Sequence, residues 1–142
     1  MPISSLRIAQ LSDLHLTASD QRLYRGRSSR EALSIALAQA CTGEADLLLL
    51  SGDLAQDVEP ATYAWLVAQL EKTGRPWYWL PGNHDAPDMM QNWAATEWEH
   101  EVAGWRMLGL STYQERSAAG RLSKKSLLRL QQASASDQPL LI

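Results

Sequence analysis

Three short stretches hold the side chains that can do chemistry: Asp13-Leu14-His15, Gly52-Asp53, and Pro81-Gly82-Asn83-His84-Asp85. An Asp and a His two residues apart at a strand end can turn an oxygen and a nitrogen toward one point, the donor mixture that a hard or borderline divalent cation takes. A second Asp can bridge two cations, because a carboxylate has two oxygens and a full negative charge, and Asn83 adds a neutral carbonyl. Two cations about 3.5–4 Å apart lower the pKa of a shared water and clamp a phosphoryl group during in-line attack. The candidate metal ligands are therefore Asp13, His15, Asp53 and Asn83. His84, one residue past a ligand, is placed to donate a hydrogen bond or proton to the leaving oxygen. Asp85 would fix its tautomer and raise its basicity, making these two the candidate catalytic pair. Each stretch alone also reads as ordinary turn chemistry, since Asp, Asn and Gly are turn formers. Their joint placement after three buried strands points to one shared centre.

The elements that must position them follow from periodicity. Leu6 to Leu11 reads as a mostly buried strand, and Ser12 to Arg27 as loop. Ser28 with Glu31 fits a capping box that opens a helix over Leu33, Ala36, Leu37 and Ala40, closed by Gly43. The continuous apolar run Asp46 to Leu50 suits a central parallel strand covered on both faces. Pro60 starts a second helix whose stripe is Tyr63, Leu66, Val67 and Leu70. Gly74 closes it, and Pro76 prevents continuation. Strand Trp77 to Leu80 ends at Pro81-Gly82. Strand, helix, strand, helix, strand is the pattern of an α/β sheet whose ligand crevice lies at the carboxyl ends of its strands. Further on, Ala86 to Ala95 is expected to be helical. Trp98 to Val102 and Trp105 to Leu110 form a hairpin through Ala103-Gly104, Ser123 caps a helix carrying Leu127, Leu128 and Leu130, and Pro139 to Ile142 opens another buried strand.

Composition limits the function classes. The 142 residues, 45% hydrophobic, are enough for one domain with a real core. A net charge of −3 speaks against a nucleic-acid surface. The basic cluster Arg22, Arg25, Arg27 and Arg30 reads as a solvated loop rather than a phosphate contact. The single Cys41 excludes an internal disulfide, reads as a small buried helix residue, and points to a reducing compartment, the cytoplasm. Met1 to Ser5 lacks the pattern of a signal peptide, and no apolar run approaches a membrane span. Core packing accounts for Trp65, Trp77 and Trp79, whereas Trp93 and Trp98, near the Asn83 turn, are candidates to line a nucleotide pocket.

At these residues the sequence resembles the calcineurin-like metallophosphoesterases. That family carries Asp-x-His, Gly-Asp and Gly-Asn-His-Asp/Glu, here Asp13-Leu14-His15, Gly52-Asp53-Leu54 and Gly82-Asn83-His84-Asp85. The string Ser51-Gly52-Asp53-Leu54-Ala55-Gln56-Asp57, Leu80-Pro81 before the Asn turn, and Gly120-Arg121-Leu122-Ser123 are similar to the bacterial class III cyclic nucleotide phosphodiesterases. The resemblance implies an αββα sandwich, here its N-terminal portion, and two divalent metal ions, commonly manganese, iron or a mixture. Asp13 and His15 would hold the first metal, Asp53 would bridge, and Asn83 would hold the second. The implied substrate is a small phosphodiester such as cyclic AMP, attacked by a metal-bridging hydroxide. The family also uses a lone His and a Gly-His-x-His further along. These three imidazoles are absent here, and His100, between Glu99 and Glu101, reads as an exposed residue rather than a replacement. The second site is accordingly expected to be incomplete. The alternative reading is a truncated or split fragment that is catalytically inactive and serves as a metal-binding or protein-interaction module. Its exposed sheet would be covered by a homodimer or a complementary chain.

Overall fold

Two three-stranded sheets stack face to face, with helices on their outer faces. The structure, a computed structural model, describes residues 5–142; the reading of Met1 to Ser5 falls, apart from Ser5, outside them. The first sheet is parallel, in the order β1 (Ile8–Leu11), β2 (Leu47–Ser51), β3 (Trp77–Leu80), with Leu48 of β2 beside Ala9 on one side and Trp77 on the other. The crossovers are α1 (Ser29–Thr42) and α2 (Pro60–Lys72). The second sheet is mixed: β4 (Trp98–Val102) and β5 (Trp105–Gly109) are antiparallel, and β6 (Leu140–Leu141) joins β5 in parallel.

Alternation along the strands sorts the core into three layers. Leu48 and Leu50 face Leu33 and Leu37 of α1 and Tyr63, Leu66 and Leu70 of α2. Leu47 and Leu49, one residue out of phase, face Trp98, Met107 and Leu141 of the second sheet. Leu108 and Leu110 then face Leu130 and Ala133 of α4 (Lys124–Ser134). The period of two is what lets one strand serve two cores, and the resulting order is helix, sheet, sheet, helix.

The local signals hold with a few instructive exceptions. Ser28 accepts from the Glu31 N–H at 3.2 Å, which is the Ser half of the expected capping box. Gly43 caps α1 at an ordinary φ of −75°, and the left-handed residue is Glu44 at 55°. The Ala103-Gly104 turn has φ of 54° and 83°, both positive as a type I′ hairpin requires. The helix expected over 86–95 is only the single turn α3 (Pro87–Met90). Past Met90 the chain goes on in turns, with the Asn92 and Trp93 N–H groups on the carbonyls three residues back, and the Trp79 indole N–H donates to the Ala94 carbonyl at 3.3 Å. On α4 the buried face is Ser126 and Ala133, while Leu127 and Leu128 are exposed. The Ser126 hydroxyl donates to Glu97 at 2.8 Å, which sets that rotation. Trp98, a candidate pocket residue, lies instead between the sheets with its indole N–H on the Trp79 carbonyl at 2.9 Å. Trp93 packs beside Tyr63, Cys41 is half-buried rather than buried, and no helix among the described residues is long and apolar enough to cross a membrane.

Two arginines of the basic cluster, Arg22 in the loop after β1 and Arg30 in the first turn of α1, are structural. Asp57, half-buried, accepts from the Thr62 hydroxyl at 2.6 Å, the Ala18 N–H at 2.6 Å and the Arg22 guanidinium at 3.1 Å. Arg30 donates to the Thr17 carbonyl at 2.9 Å and lies over the Trp65 ring. Burial pushes the Asp57 carboxyl up, but its donors outweigh burial and hold it below the usual range. A lowered folded-state pKa stabilises the fold above the unfolded value, near 4, and that contribution is lost as pH falls through the folded value. Asp57→Asn is therefore expected to cost about 1–3 kcal/mol at pH 7, with the gap to the parent closing below about pH 4. Urea midpoints at pH 7 and pH 3 measure this, and a gap unchanged by acid would refute it.

Candidate metal centre

The parallel pairing of β1 with β2 does not stop where the strands end. Past them, the Asp13 N–H donates to the Gly52 carbonyl at 3.0 Å, the His15 N–H to the Asp53 carbonyl at 3.0 Å, and the Leu16 N–H to the Leu54 carbonyl at 2.9 Å. Gln56 N–H returns to the Leu16 carbonyl at 2.7 Å. The two loops are thus zipped together by backbone, and their side chains are placed with the precision of a sheet rather than of a loop. Leu16 and Leu54 go into the core. Asp13, His15 and Asp53 turn the other way, and one ligand atom from each lies within 4.8 Å of the others.

Reaching that arrangement puts all three residues in left-handed backbone conformation, with φ of 55° at Asp13, 44° at His15 and 51° at Asp53. A residue with a side chain pays about 1–3 kcal/mol for such a state unless its surroundings over-determine it, and residues held in this way cluster at functional sites. Here the zipped backbone supplies that constraint. Gly52, with φ of 91°, lies against Gly82: a Cβ on Gly52 would sit 3.0 Å from the Gly82 Cα, and one on Gly82 would collide with the Asp53 carboxylate and backbone. The two glycines let the Asn83 turn come down directly on Asp53.

That turn is pinned by two carboxylates. Asp53 Oδ1 accepts the His84 N–H at 3.0 Å. Asp85 is buried and accepts from the N–H groups of Leu54, Ala55 and Gly82 at 3.0, 3.0 and 2.8 Å, and from the Tyr63 hydroxyl at 3.0 Å. Tyr63 in turn accepts the Ala86 N–H at 3.0 Å. Burial pushes the Asp85 carboxyl up against the pull of these donors. Burial likewise pushes the Tyr63 hydroxyl up, with the neighbouring Asp85 charge adding to it. The expected role of Asp85 behind His84 is thereby corrected: its oxygens join the Gly52 and Gly82 loops to α2, because three converging backbone donors need one anionic acceptor.

His84 is exposed, and its ring meets the His15 ring edge-on at 5.2 Å between centroids. Asn83, also exposed, borders a cavity of about 260 Å³ shared by Gly52, Pro81 and the segment Leu110 to Gly120. His100 stands on β4 and stacks on Tyr78 at 4.1 Å, so it is no ligand here. The donor set of two carboxylates and an imidazole, with an amide alongside, suits a hard or borderline divalent cation. The close approach of two carboxylates with no cationic side chain ion-paired to either among the described residues supports that fit.

Sequence reasoning gave no site role to three residues that touch this group: Tyr24, whose ring stacks on His15, Gln56, whose Oε1 lies 2.9 Å from His15 Nδ1, and Tyr63, whose hydroxyl donates to Asp85. Tyr63 was legible as a core residue of α2 but not as a hydroxyl partner. Tyr24 lies in a loop with no periodicity, so no local signal marks it.

Comparison with known proteins gives results of one kind. A family model described as calcineurin-like phosphoesterase matches residues 6–130. A probable cyclic nucleotide phosphodiesterase of Synechococcus sp. is 34% identical over 138 residues, covering 94% of this chain and 54% of that protein. A 3′,5′-cyclic-nucleotide phosphodiesterase of Nostoc sp. is 40% identical over 87 residues, 60% of this chain and 32% of the relative. A 3′,5′-cyclic adenosine monophosphate phosphodiesterase of Vibrio vulnificus is 29% identical over 136 residues, 90% of this chain and 50% of the relative. The chain spans about half the length, or less, of these relatives.

Proposed function

The chain belongs to the calcineurin-like phosphoesterase family, and on that footing we propose that it hydrolyses, or forms part of an enzyme that hydrolyses, a phosphodiester bond, with a cyclic nucleotide such as cyclic AMP as the substrate class. The names of the relatives support the substrate class. The observation that carries the reading is the convergence of Asp13, His15 and Asp53, all in left-handed conformation, within 4.8 Å.

Asp13, His15 and Asp53 would hold one divalent cation, manganese or iron, and Asp53 with Asn83 a second. When bound, such ions polarise the phosphoryl oxygens and supply an activated water as nucleophile. The residues themselves do the rest. Asp53 is oriented by the His84 N–H, which donates to its Oδ1. His84, exposed beside His15, donates a hydrogen bond to a phosphate oxygen or a proton to the leaving alkoxide. His84→Ala is expected to lower kcat about 10²–10⁴-fold while leaving metal affinity in place; a variant with parental kcat would remove His84 from the mechanism.

We place the chain as one portion of a metallophosphoesterase domain, with the family's further three imidazoles supplied outside these 142 residues. The outer edge of β6, unpaired among the described residues, is where a complementary chain or second copy would add. The cytoplasm is the proposed location, on the strength of a lone cysteine. The deciding experiment is hydrolysis of bis(p-nitrophenyl) phosphate and cyclic AMP by the purified chain with manganese, with Asp53→Asn as the control. Turnover abolished by that change supports the enzyme. Metal binding without turnover supports the incomplete module, and neither binding nor turnover defeats the reading.

A further inference from the structure

His15 is held from two sides, by Gln56 of the neighbouring loop and by Tyr24 further along its own. Its Nδ1 lies 2.9 Å from Oε1 of Gln56, and its ring is stacked on that of Tyr24, with centroids 4.4 Å apart and planes 14° from parallel. Resting on the metal-centre reading above, we propose that Gln56 and Tyr24 are positioning residues that set His15 as an Nε2 ligand before any cation arrives.

A neutral imidazole has one N–H and one lone-pair nitrogen, and the partner of one nitrogen decides the state of the other. Gln56 accepting at Nδ1 places the proton there and leaves the lone pair on Nε2, whereas an amide turned the other way would protonate Nε2 and remove the ligand. The main chain that carries Gln56 is fixed, because its backbone N–H closes the loop zipper onto the Leu16 carbonyl at 2.7 Å. Tyr24 sets the remaining freedom, rotation of the ring out of plane.

The stack is braced for this purpose. Tyr24 and Arg27 exchange both backbone hydrogen bonds, at 2.9 and 3.0 Å, across Arg25 and Gly26 with φ of 50° and 77°, a type I′ turn in a segment otherwise without a strand or helix. Arg22, two residues earlier, is tied to Asp57 and Glu59. The Thr17 hydroxyl donates to the carbonyls of Ser19 and Arg22, both at 3.0 Å. The long loop after β1 therefore has a job: it delivers one aromatic ring to the back of a ligand and shields it, leaving His15 buried at 9% exposure.

Two measurements test this. In long-range ¹H–¹⁵N NMR of the metal-free chain at about pH 8, His15 is expected to carry its proton on Nδ1; a proton on Nε2 overturns the proposal. In Mn²⁺ titrations, Gln56→Met and Tyr24→Ala are expected to weaken binding about 10–100-fold. Gln56→Glu, which keeps the acceptor, and Tyr24→Phe, which keeps the ring, should bind close to the parent, and all four should keep its melting temperature to within a few degrees. Parental affinity in Gln56→Met and Tyr24→Ala, or an equal loss in Gln56→Glu, overturns it. A parent chain that binds no Mn²⁺ defeats the metal-centre reading instead, and the NMR tautomer then decides the positioning by itself.

Discussion

Replacing Asp85 with alanine is expected to lower the unfolding free energy by about 3–6 kcal/mol, more than any other single change around the site. The magnitude follows from what is orphaned. Three backbone N–H groups, from Leu54, Ala55 and Gly82, and the Tyr63 hydroxyl all donate to this one carboxylate. Each buried donor left without a partner costs about 1–3 kcal/mol. Asp85 is only 4% exposed, so water does not readily replace it. Since a domain of this size is stable by only about 5–15 kcal/mol, the variant should be largely or wholly unfolded at modest urea. Asp85→Asn keeps the shape and one acceptor oxygen but presents an NH₂ to the other donors, and about 2–4 kcal/mol is expected. Urea midpoints followed by far-UV circular dichroism give both numbers. An alanine variant within 1 kcal/mol of the parent would show that the buried donors find other partners.

The second large effect is on metal affinity, with the opposite sign on stability. Asp53→Asn is expected to weaken Mn²⁺ binding about 10²–10³-fold. Removing one full charge at a coordination distance near 2 Å from a divalent ion forfeits about 3–4 kcal/mol even at the dielectric constant of water. The fold should survive, because the Asn carbonyl can still accept the His84 N–H that Asp53 accepts at 3.0 Å. In the metal-free chain, Asp13 and Asp53 offer carboxylate oxygens within 4.8 Å of each other, and that repulsion disappears in the variant. Its metal-free form is therefore expected to be more stable than the parent by about 0.5–1 kcal/mol. Isothermal titration with Mn²⁺ and thermal melts in chelator check the pair of signs. A variant both less stable and unaltered in affinity would mean that Asp53 is a structural acceptor and nothing more.

The site shows how a strained backbone is maintained. Asp13, His15 and Asp53 each sit at positive φ, and the zipper of loop hydrogen bonds holds them there. Asp85 sits beneath that zipper, taking the N–H groups of the two residues after Asp53. Stability and ligand geometry are thus coupled through one carboxylate. Damage at Asp85 should reach the centre although Asp85 ligates nothing, which is why its variants must be judged by unfolding as well as by binding.

The sequence alone determined a good deal. Apolar runs ending in Asp-x-His, Gly-Asp and Pro-Gly-Asn-His-Asp placed three strands and the sheet edge where Asp13, His15 and Asp53 meet, and Ala103-Gly104 marked the hairpin. Those signals are local: strand alternation, turn chemistry and caps act within a few residues, so they can be read one segment at a time. Tertiary structure alone decided that Asp85 serves the backbone of a loop 30 residues away rather than His84 beside it, that Trp98 fills the space between sheets, that the Ala94 carbonyl meets the Trp79 indole, and that Tyr24 and Gln56 contact His15. None of these pairings lies within the few residues over which local signals act. A hydrogen-bond donor or a ring face leaves no mark in its own neighbourhood of which partner it will meet once the chain has closed on itself.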